Sequence, residues 1–400
     1  MYTKRPFAKS VSLLALMLAA MLAATGCLGT KTVTTQGGAG QTTTSPQTVD
    51  VHRLPEVWRG PATKLARKGF TQSQLEAVFN SPNMQYTSTP MATKLKELYG
   101  IYFRSDLTKE IQEKLYQLGY DLIIDGRGGS GTQSAIRKFQ ADNGLSQNGE
   151  VSDATLAAVN KALKTKKKRE LSSYSPPPAK APNRTATYDS FTNQQGLAKI
   201  KAFYLADKKT FDAMSRKYQV PGEVAAAIMW IETRYGEYFG KHKAASNLAS
   251  MAAAASNFNV VRDAVRDINK DRESETFLRD YAVKRGDWAL NELAALMRYC
   301  FDNGHDPTTV NGSIYGAIGW GQFMPSNLPK HGVDGDGDGR VDLFNKTDAI
   351  FSIGNFLKNH GWKPGAMTED ERRAVIMKYN KSGIYVNTVL YVADYLKSGK

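Results

Sequence analysis

Residues that could do chemistry cluster in four short stretches. In the first, Met229-Trp230-Ile231-Glu232-Thr233-Arg234-Tyr235-Gly236, the apolar run "VAAAIMWI" ends in a carboxylate. An ionised Glu among such neighbours must be paired, neutralised or used. Desolvation raises a carboxyl pKa, so Glu232 would hold its proton near neutral pH and serve as a general acid. A structural ion pair, with Arg234 or a more distant arginine, fits the same residues equally well.

The second stretch is Gly312-Ser313-Ile314-Tyr315-Gly316-Ala317-Ile318-Gly319-Trp320-Gly321-Gln322-Phe323-Met324-Pro325-Ser326. Its glycines lack the Lys-Ser/Thr ending of a phosphate loop, which excludes a nucleotide cradle of that kind. Glycines interleaved with Tyr, Trp and Phe suit a sugar groove, and a tightly packed hairpin is the alternative. The third stretch, Asp334-Gly335-Asp336-Gly337-Asp338-Gly339, has carboxylates at loop positions one, three and five and Gly at six, the opening of an EF-hand-like calcium loop. Asn345 stands at position twelve, where Glu is usual, and Asp348 at fifteen could close a longer loop. The fourth, Tyr379-Asn380-Lys381-Ser382-Gly383-Ile384-Tyr385, reads alone as a polar turn. The five histidines show no metal-ligand spacing.

The elements that position these residues are expected to be helical, and the fold mainly α. Pro221 suits the first turn of a helix running to Glu232, since its fixed φ fits and its missing N–H is not needed there. No sustained strand alternation appears from 188 to 400. Upstream, residues 106–164 form a compact three-helix pattern. Ile111, Leu115 and Leu118 follow a possible Asp106 cap; Ala135, Ile136 and Phe139 lie in a helix stopping at Gly144; Leu156, Val159 and Leu163 follow Ser152-Asp153. Residues 165–187, "TKKKRELSSYSPPPAKAPNRTAT", read as an exposed linker.

The N-terminus resembles a bacterial lipoprotein signal, with Lys4, Arg5 and Lys9 before the apolar Val11–Ala24 stretch and "LAATGC" ending at Cys27. Ala24 stands where such signals prefer Leu, Val or Ile. Cleavage before Cys27 would lower the formal charge from +15 to +12. The resemblance implies lipidation of Cys27, a flexible tether over 27–54, and a periplasmic chain anchored to a membrane, with Leu28 favouring the outer one. A basic periplasmic protein suits an anionic polymer or lipid surface; nucleic acid is not expected as a partner, nor an organic cofactor. With Cys27 lipidated, Cys300 has no cysteine to pair with.

The segments "LGYDLIIDG", "GTQSAIRKFQADNGL" and "NGEVSDATLAAV" resemble the small peptidoglycan-binding domain of many cell-wall enzymes, although Gly128 replaces the family's usual aromatic residue. The segments "VPGEVAAAIMWIETRYGEYFG", "GSIYGAIGWGQFMPSNL", "VDGDGDGRVDLFNKTDAIFSIGNFLKNHGW" and "KYNKSGIY", in that order, resemble the B-type lytic murein transglycosylases. That resemblance implies a lysozyme-like helical catalytic domain that cuts the β-1,4 bond between N-acetylmuramic acid and N-acetylglucosamine and leaves a 1,6-anhydro end. Glu232 would act as acid and then as base. Ser313, Gln322, Tyr379, Asn380 and Tyr385 would line the substrate groove, and Asp334, Asp336, Asp338, the Arg340 carbonyl and Asp348 would hold calcium. After "NLASMA" the sequence departs from the family and is longer, "AAASNFNVVRDAVRDINKDRESETFL". "ARKGFTQSQLEAVF" resembles the opening of the same domain, so residues 55–105 are expected to belong with 188–400 and the wall-binding unit to be inserted between them, with a free-standing helical leader as the alternative. A non-catalytic wall tether and a hydrolytic muramidase, which needs a second carboxylate such as Asp207 or Glu237, are the competing expectations.

Overall fold

A computed structural model describes residues 49–176 and 183–399 of the 400. The signal peptide, Cys27 and most of the tether fall outside the described residues. The chain divides into two compact units. One comprises 49–90, 183–256 and 286–399; the other comprises 91–176 and 257–285. Compactness thus groups 257–285 with 91–176, whereas the chain-order reading ran the catalytic stretch unbroken from 188 to 400.

The architecture is mainly α, as expected. Among the described residues the only sheet is a two-residue antiparallel pair, His242–Lys243 with Asn311–Gly312. No described helix is long and apolar enough to cross a membrane.

The larger unit is built around the helix Gly222–Thr233, which starts directly after Pro221. The helices Gly383–Ser398, Lys208–Tyr218, Gln194–Ala206 and Lys346–Asn359 all pack against it. A helix enclosed on every side must be apolar all round, which is why "VAAAIMWI" shows no polar stripe. The one side-chain polar atom in that run, the Trp230 Nε1, donates to the Phe191 carbonyl at 3.2 Å.

Residues 55–90 join this same unit. Thr71 and Gln74 form a capping box on the helix Gln72–Phe79. The helix Glu56–Ala66 lies against Ala244–Ser256, and the Gln85 and Thr87 amides donate to the Ser246 and Ser250 hydroxyls at 3.1 and 3.2 Å. Its anchorage is therefore the 244–256 helix.

In the smaller unit, the helices Asp106–Gln117, Ser130–Asp142 and Asp153–Thr165 close over Ile111, Leu115, Ile136, Phe139 and Val159. Leu118, Leu156 and Leu163 pack at the margin of this core. The first helix is capped by Ser105, whose hydroxyl accepts from the Thr108 amide, and not by Asp106, which is its first residue. Two buried glutamines went unnoticed in the sequence. Gln112 Oε1 accepts from the Asp125 and Gly126 amides at 3.0 and 2.7 Å, and Gln140 Oε1 accepts from the Gly149 amide at 2.9 Å. Each fixes a glycine turn from within, satisfying amides that the turns would otherwise bury.

Candidate functional site

Glu232 ends the enclosed helix and is 8% exposed. Burial pushes its carboxyl up to about 7, while a hydrogen bond from Tyr385 pulls the other way. The Tyr385 hydroxyl donates to Glu232 Oε1 at 2.8 Å, and Tyr385 is itself fully buried. Among the described residues no ion pair reaches Glu232; the Arg234 guanidinium lies over the Phe191 ring at 5.0 Å. Of the alternatives left open by the sequence, the structure therefore favours a neutral, desolvated acid. Such a group can give up a proton near neutral pH.

Past Thr233 the chain turns sharply. Arg234, Tyr235 and Gly236 have φ of 51°, 59° and 85°, three left-handed residues in succession. Two of them carry side chains, a conformation that costs about 1 kcal/mol or more each and persists only where the surroundings enforce it. Tyr235 is held by Asp207, whose Oδ2 accepts from the Tyr235 hydroxyl at 3.0 Å and from Lys346 Nζ at 2.7 Å. The Lys346 ammonium also stands 5.9 Å from the Tyr235 and Trp320 ring centres. Asp207 is thus committed to Lys346, and Glu237 is paired with Lys199. Neither is a free second carboxylate, and none contributes to the shift at Glu232.

The Gly312–Ser326 loop braces this corner. Thr233 Oγ1 donates to the Trp320 carbonyl at 3.1 Å, Trp320 N to the Leu343 carbonyl at 3.0 Å, and Trp320 Nε1 to the Phe344 carbonyl at 2.9 Å. Tyr379 donates to the Gly321 carbonyl at 2.5 Å, and the Glu232 charge is among the causes that keep its phenol protonated. Glu232, Tyr385, Tyr379 and the Gly321-Gln322 corner are accordingly one neighbourhood. Gln322 is buried with φ of 48°, its Nε2 donating to the Gly319 carbonyl at 3.1 Å. Ser313 spends its hydroxyl on its own loop, accepting from the Tyr315 and Ala317 amides at 3.3 and 3.0 Å. Asn380 is buried where the helix Glu369–Tyr379 ends. The sugar-facing role expected of the loop aromatics needs correcting for two of them. Tyr315 and Phe323 are 2% and 3% exposed and belong to the interior, and only Trp320 is partly open.

In the acidic loop, Asp334, Asp336 and Asp338 each bring one carboxylate oxygen within 4.8 Å of the others. The Gly337 and Gly339 amides donate to the two Asp334 oxygens at 2.6 and 2.8 Å, and these bonds hold its carboxyl below the usual range. Gly339, with φ of 89°, makes the turn that lets both be made. A convergent set of ionised oxygens is the donor chemistry a hard divalent cation requires, so the residues present fit calcium. Asp348, behind the loop, is 1% exposed, and its oxygens accept from the Gly335 and Asp342 amides at 2.8 and 2.7 Å. Asn345, in place of the usual Glu, caps the next helix and donates to Asp336 Oδ2 at 2.5 Å. For Arg340 the structure shows its amide donating to Asp338 Oδ1 at 2.8 Å.

Two features the sequence did not advertise are Lys346 and Glu292. Glu292 is buried and accepts from the Ser326 amide and hydroxyl at 2.9 and 2.7 Å, anchoring the end of the glycine-rich loop. Its signal would have been the one acid in the mostly apolar "LNELAALM".

Residues 132–374 match the "Transglycosylase SLT domain" family, and residues 104–159 match a family described as a peptidoglycan binding domain. The chain is 33% identical over 157 residues to "Membrane-bound lytic murein transglycosylase B" of Escherichia coli (strain K12). That alignment takes in 38% of this chain and 36% of the relative, little more than a third of its length. The soluble lytic transglycosylase SltB1 of Pseudomonas aeruginosa is 18% identical with a TM-score of 0.44, covering 66% of this chain and 98% of that one. Escherichia coli Slt35 in complex with calcium is also 18% identical, TM-score 0.44, over 67% and 93%. With the family match running over more than half of the 400 residues, the chain belongs to the transglycosylase SLT domain family, and it carries a peptidoglycan-binding module within it.

Proposed function

We propose that the protein is a lytic transglycosylase that cleaves the β-1,4 bond between N-acetylmuramic acid and N-acetylglucosamine in peptidoglycan. The observation that carries this reading is the state of Glu232: buried, at about 7, bonded to one tyrosine hydroxyl and with no second carboxylate acting on it. Glu232 gives its proton to the glycosidic oxygen as the muramyl C1–O bond breaks. The resulting carboxylate then takes the proton from the muramyl C6 hydroxyl as O6 bonds to C1. The sum is a 1,6-anhydro end, a free 4-hydroxyl on the departing glucosamine, and Glu232 protonated again. Two-carboxylate glycosidases keep one acid for the leaving group and another for water or the sugar; here one group serves both steps. Tyr385 keeps the carboxylate oriented between them.

Gln322, Tyr379, Asn380 and Ser313 are the groups proposed to border the bound sugars, with Tyr385 behind the acid. Asp334, Asp336, Asp338 and the Arg340 carbonyl would hold calcium, with Asp348 fixing the loop. The ion would supply rigidity. Trp320 takes its two backbone anchors from Leu343 and Phe344, at the end of that loop. The wall-binding module interrupts the catalytic domain, an arrangement supported by the grouping of 49–90 with 183–256. Lipidation of Cys27 would place the chain in the periplasm on the outer membrane.

Digestion of purified peptidoglycan by the protein and by Glu232→Gln, read by mass spectrometry, tests the reading. Products one water lighter than hydrolytic ones, absent from the variant, are expected. Hydrated products would make it a muramidase instead. Binding without any product would make it a wall tether.

A further inference from the structure

The smaller unit carries an open cavity of about 710 Å³ that the reaction described above does not use. One wall is the end of the helix Thr89–Tyr102 and the residues after it; the other is residues 272–280, at the end of the stretch where the sequence departs from its family. The floor is aromatic. Phe103 stacks on Tyr99 at 4.3 Å and meets Phe277 edge-on at 5.4 Å, and Phe277 lies 4.5 Å from Tyr281. Tyr102 runs parallel to Tyr281, with 48% of its surface open. These rings fix one another, so the exposed face of Tyr102 is a preformed platform rather than a loose side chain.

Around the platform stand Arg104, Arg272, Glu273 and Asp280, all exposed. Among the described residues Arg272, Glu273 and Asp280 enter no ion pair. Heads of both signs give no preference for a charged ligand of either sign. They do offer rigid donors and acceptors together, which a neutral ligand rich in hydroxyl and amide groups can satisfy at once. One face of a pyranose ring is lined with C–H groups and suits the negative face of an aromatic ring.

We propose that this cavity is a glycan subsite, in which one sugar of an N-acetylhexosamine strand stacks on Tyr102 while its hydroxyl and acetamide groups bond to Arg104, Arg272, Glu273 and Asp280. The proposal rests on peptidoglycan being the polymer this protein handles. It gives the 257–285 segment a purpose: it contributes the second wall.

The test is co-sedimentation of the full chain with insoluble peptidoglycan, carried out in Glu232→Gln so that bound strands survive. Tyr102→Ala and Arg272→Ala, from opposite walls, are each expected to weaken binding about five- to tenfold. Tyr102→Phe keeps the ring and should stay within about twofold of its parent. Both sites are exposed, and thermal melting would report any loss of fold. Alanine variants that sediment like the parent would overturn the subsite, as would Tyr102→Phe binding as poorly as Tyr102→Ala. If in that case the Glu232-intact protein still releases anhydro products, the proposed reaction stands without the subsite. A Glu232→Gln parent that does not sediment, together with a Glu232-intact protein that does not cut, would remove both.

Discussion

The Trp320 ring sits where a side chain at position 236 would have to be: a β-carbon built on Gly236 comes within 2.3 Å of the indole. Gly236 also has φ of 85°. Gly236→Ala is therefore expected to lower stability by about 2–4 kcal/mol, from overpacking plus backbone strain. Gly69→Ala is the control. That glycine also has positive φ, but nothing lies within 4 Å of its added methyl, so it should cost about 1–2 kcal/mol. Thermal unfolding of the two variants separates them; equal losses would mean that Trp320 yields freely.

Tyr385→Phe deletes the one hydrogen bond that favours the charged form of Glu232. The carboxyl should then titrate higher, so the alkaline fall in kcat/KM moves to higher pH. The maximal rate should drop about tenfold, because the base step loses the group that steadies the carboxylate. A pH–rate profile on purified peptidoglycan checks both. An alkaline limb that stays in place would show that the limb belongs to another group.

Glu232 also burdens the fold. Its carboxyl sits at about 7 in the folded protein against 4.5 when exposed. Between these values the folded state binds more protons than the unfolded one, so stability falls as pH rises through this window. The loss amounts to about 3 kcal/mol above pH 7. Glu232→Gln should then melt higher than the parent at pH 8, with the advantage gone at pH 4. Equal melting temperatures at pH 8 would contradict the raised pKa.

If the acidic loop holds calcium as proposed, Asp336 and Asp348 should respond differently to it. Calcium should raise the melting temperature of the parent, and Asp336→Asn should blunt that rise while altering calcium-free stability little. Asp348→Ala should cost about 1–3 kcal/mol even without calcium, since two loop amides lose their acceptor. Titration calorimetry and melting curves distinguish the two; an Asp348 variant affected only when calcium is present would make that residue a ligand instead.

What the sequence revealed follows from range. Glu232 was legible because its setting is written in eight contiguous residues, and the three-helix module because its periodicity and turns are local. The convergence of the Asp-Gly carboxylates was legible for the same reason. Partners far along the chain were not legible. Nothing near Asp207 points to Lys346, and nothing near Trp320 says that its indole N–H answers to the Phe344 carbonyl. Tyr315 and Phe323 were misjudged because an aromatic ring beside glycines looks the same in a string whether it faces inward or outward. Asp348 was singled out by spacing and resemblance, and its bonds to the distant Gly335 and Asp342 amides were not legible.

Because Glu232 is held by enclosure and one tyrosine rather than by an opposite charge, added salt has nothing to screen at the acid itself. The surface is another matter, with a formal charge of +15 that dissolved ions weaken readily. Ionic strength therefore acts on the two halves of the task separately. On the proposed reading, it weakens attraction to an anionic polymer while leaving the proton chemistry untouched, so salt would alter how long the protein stays bound and not how fast it cuts.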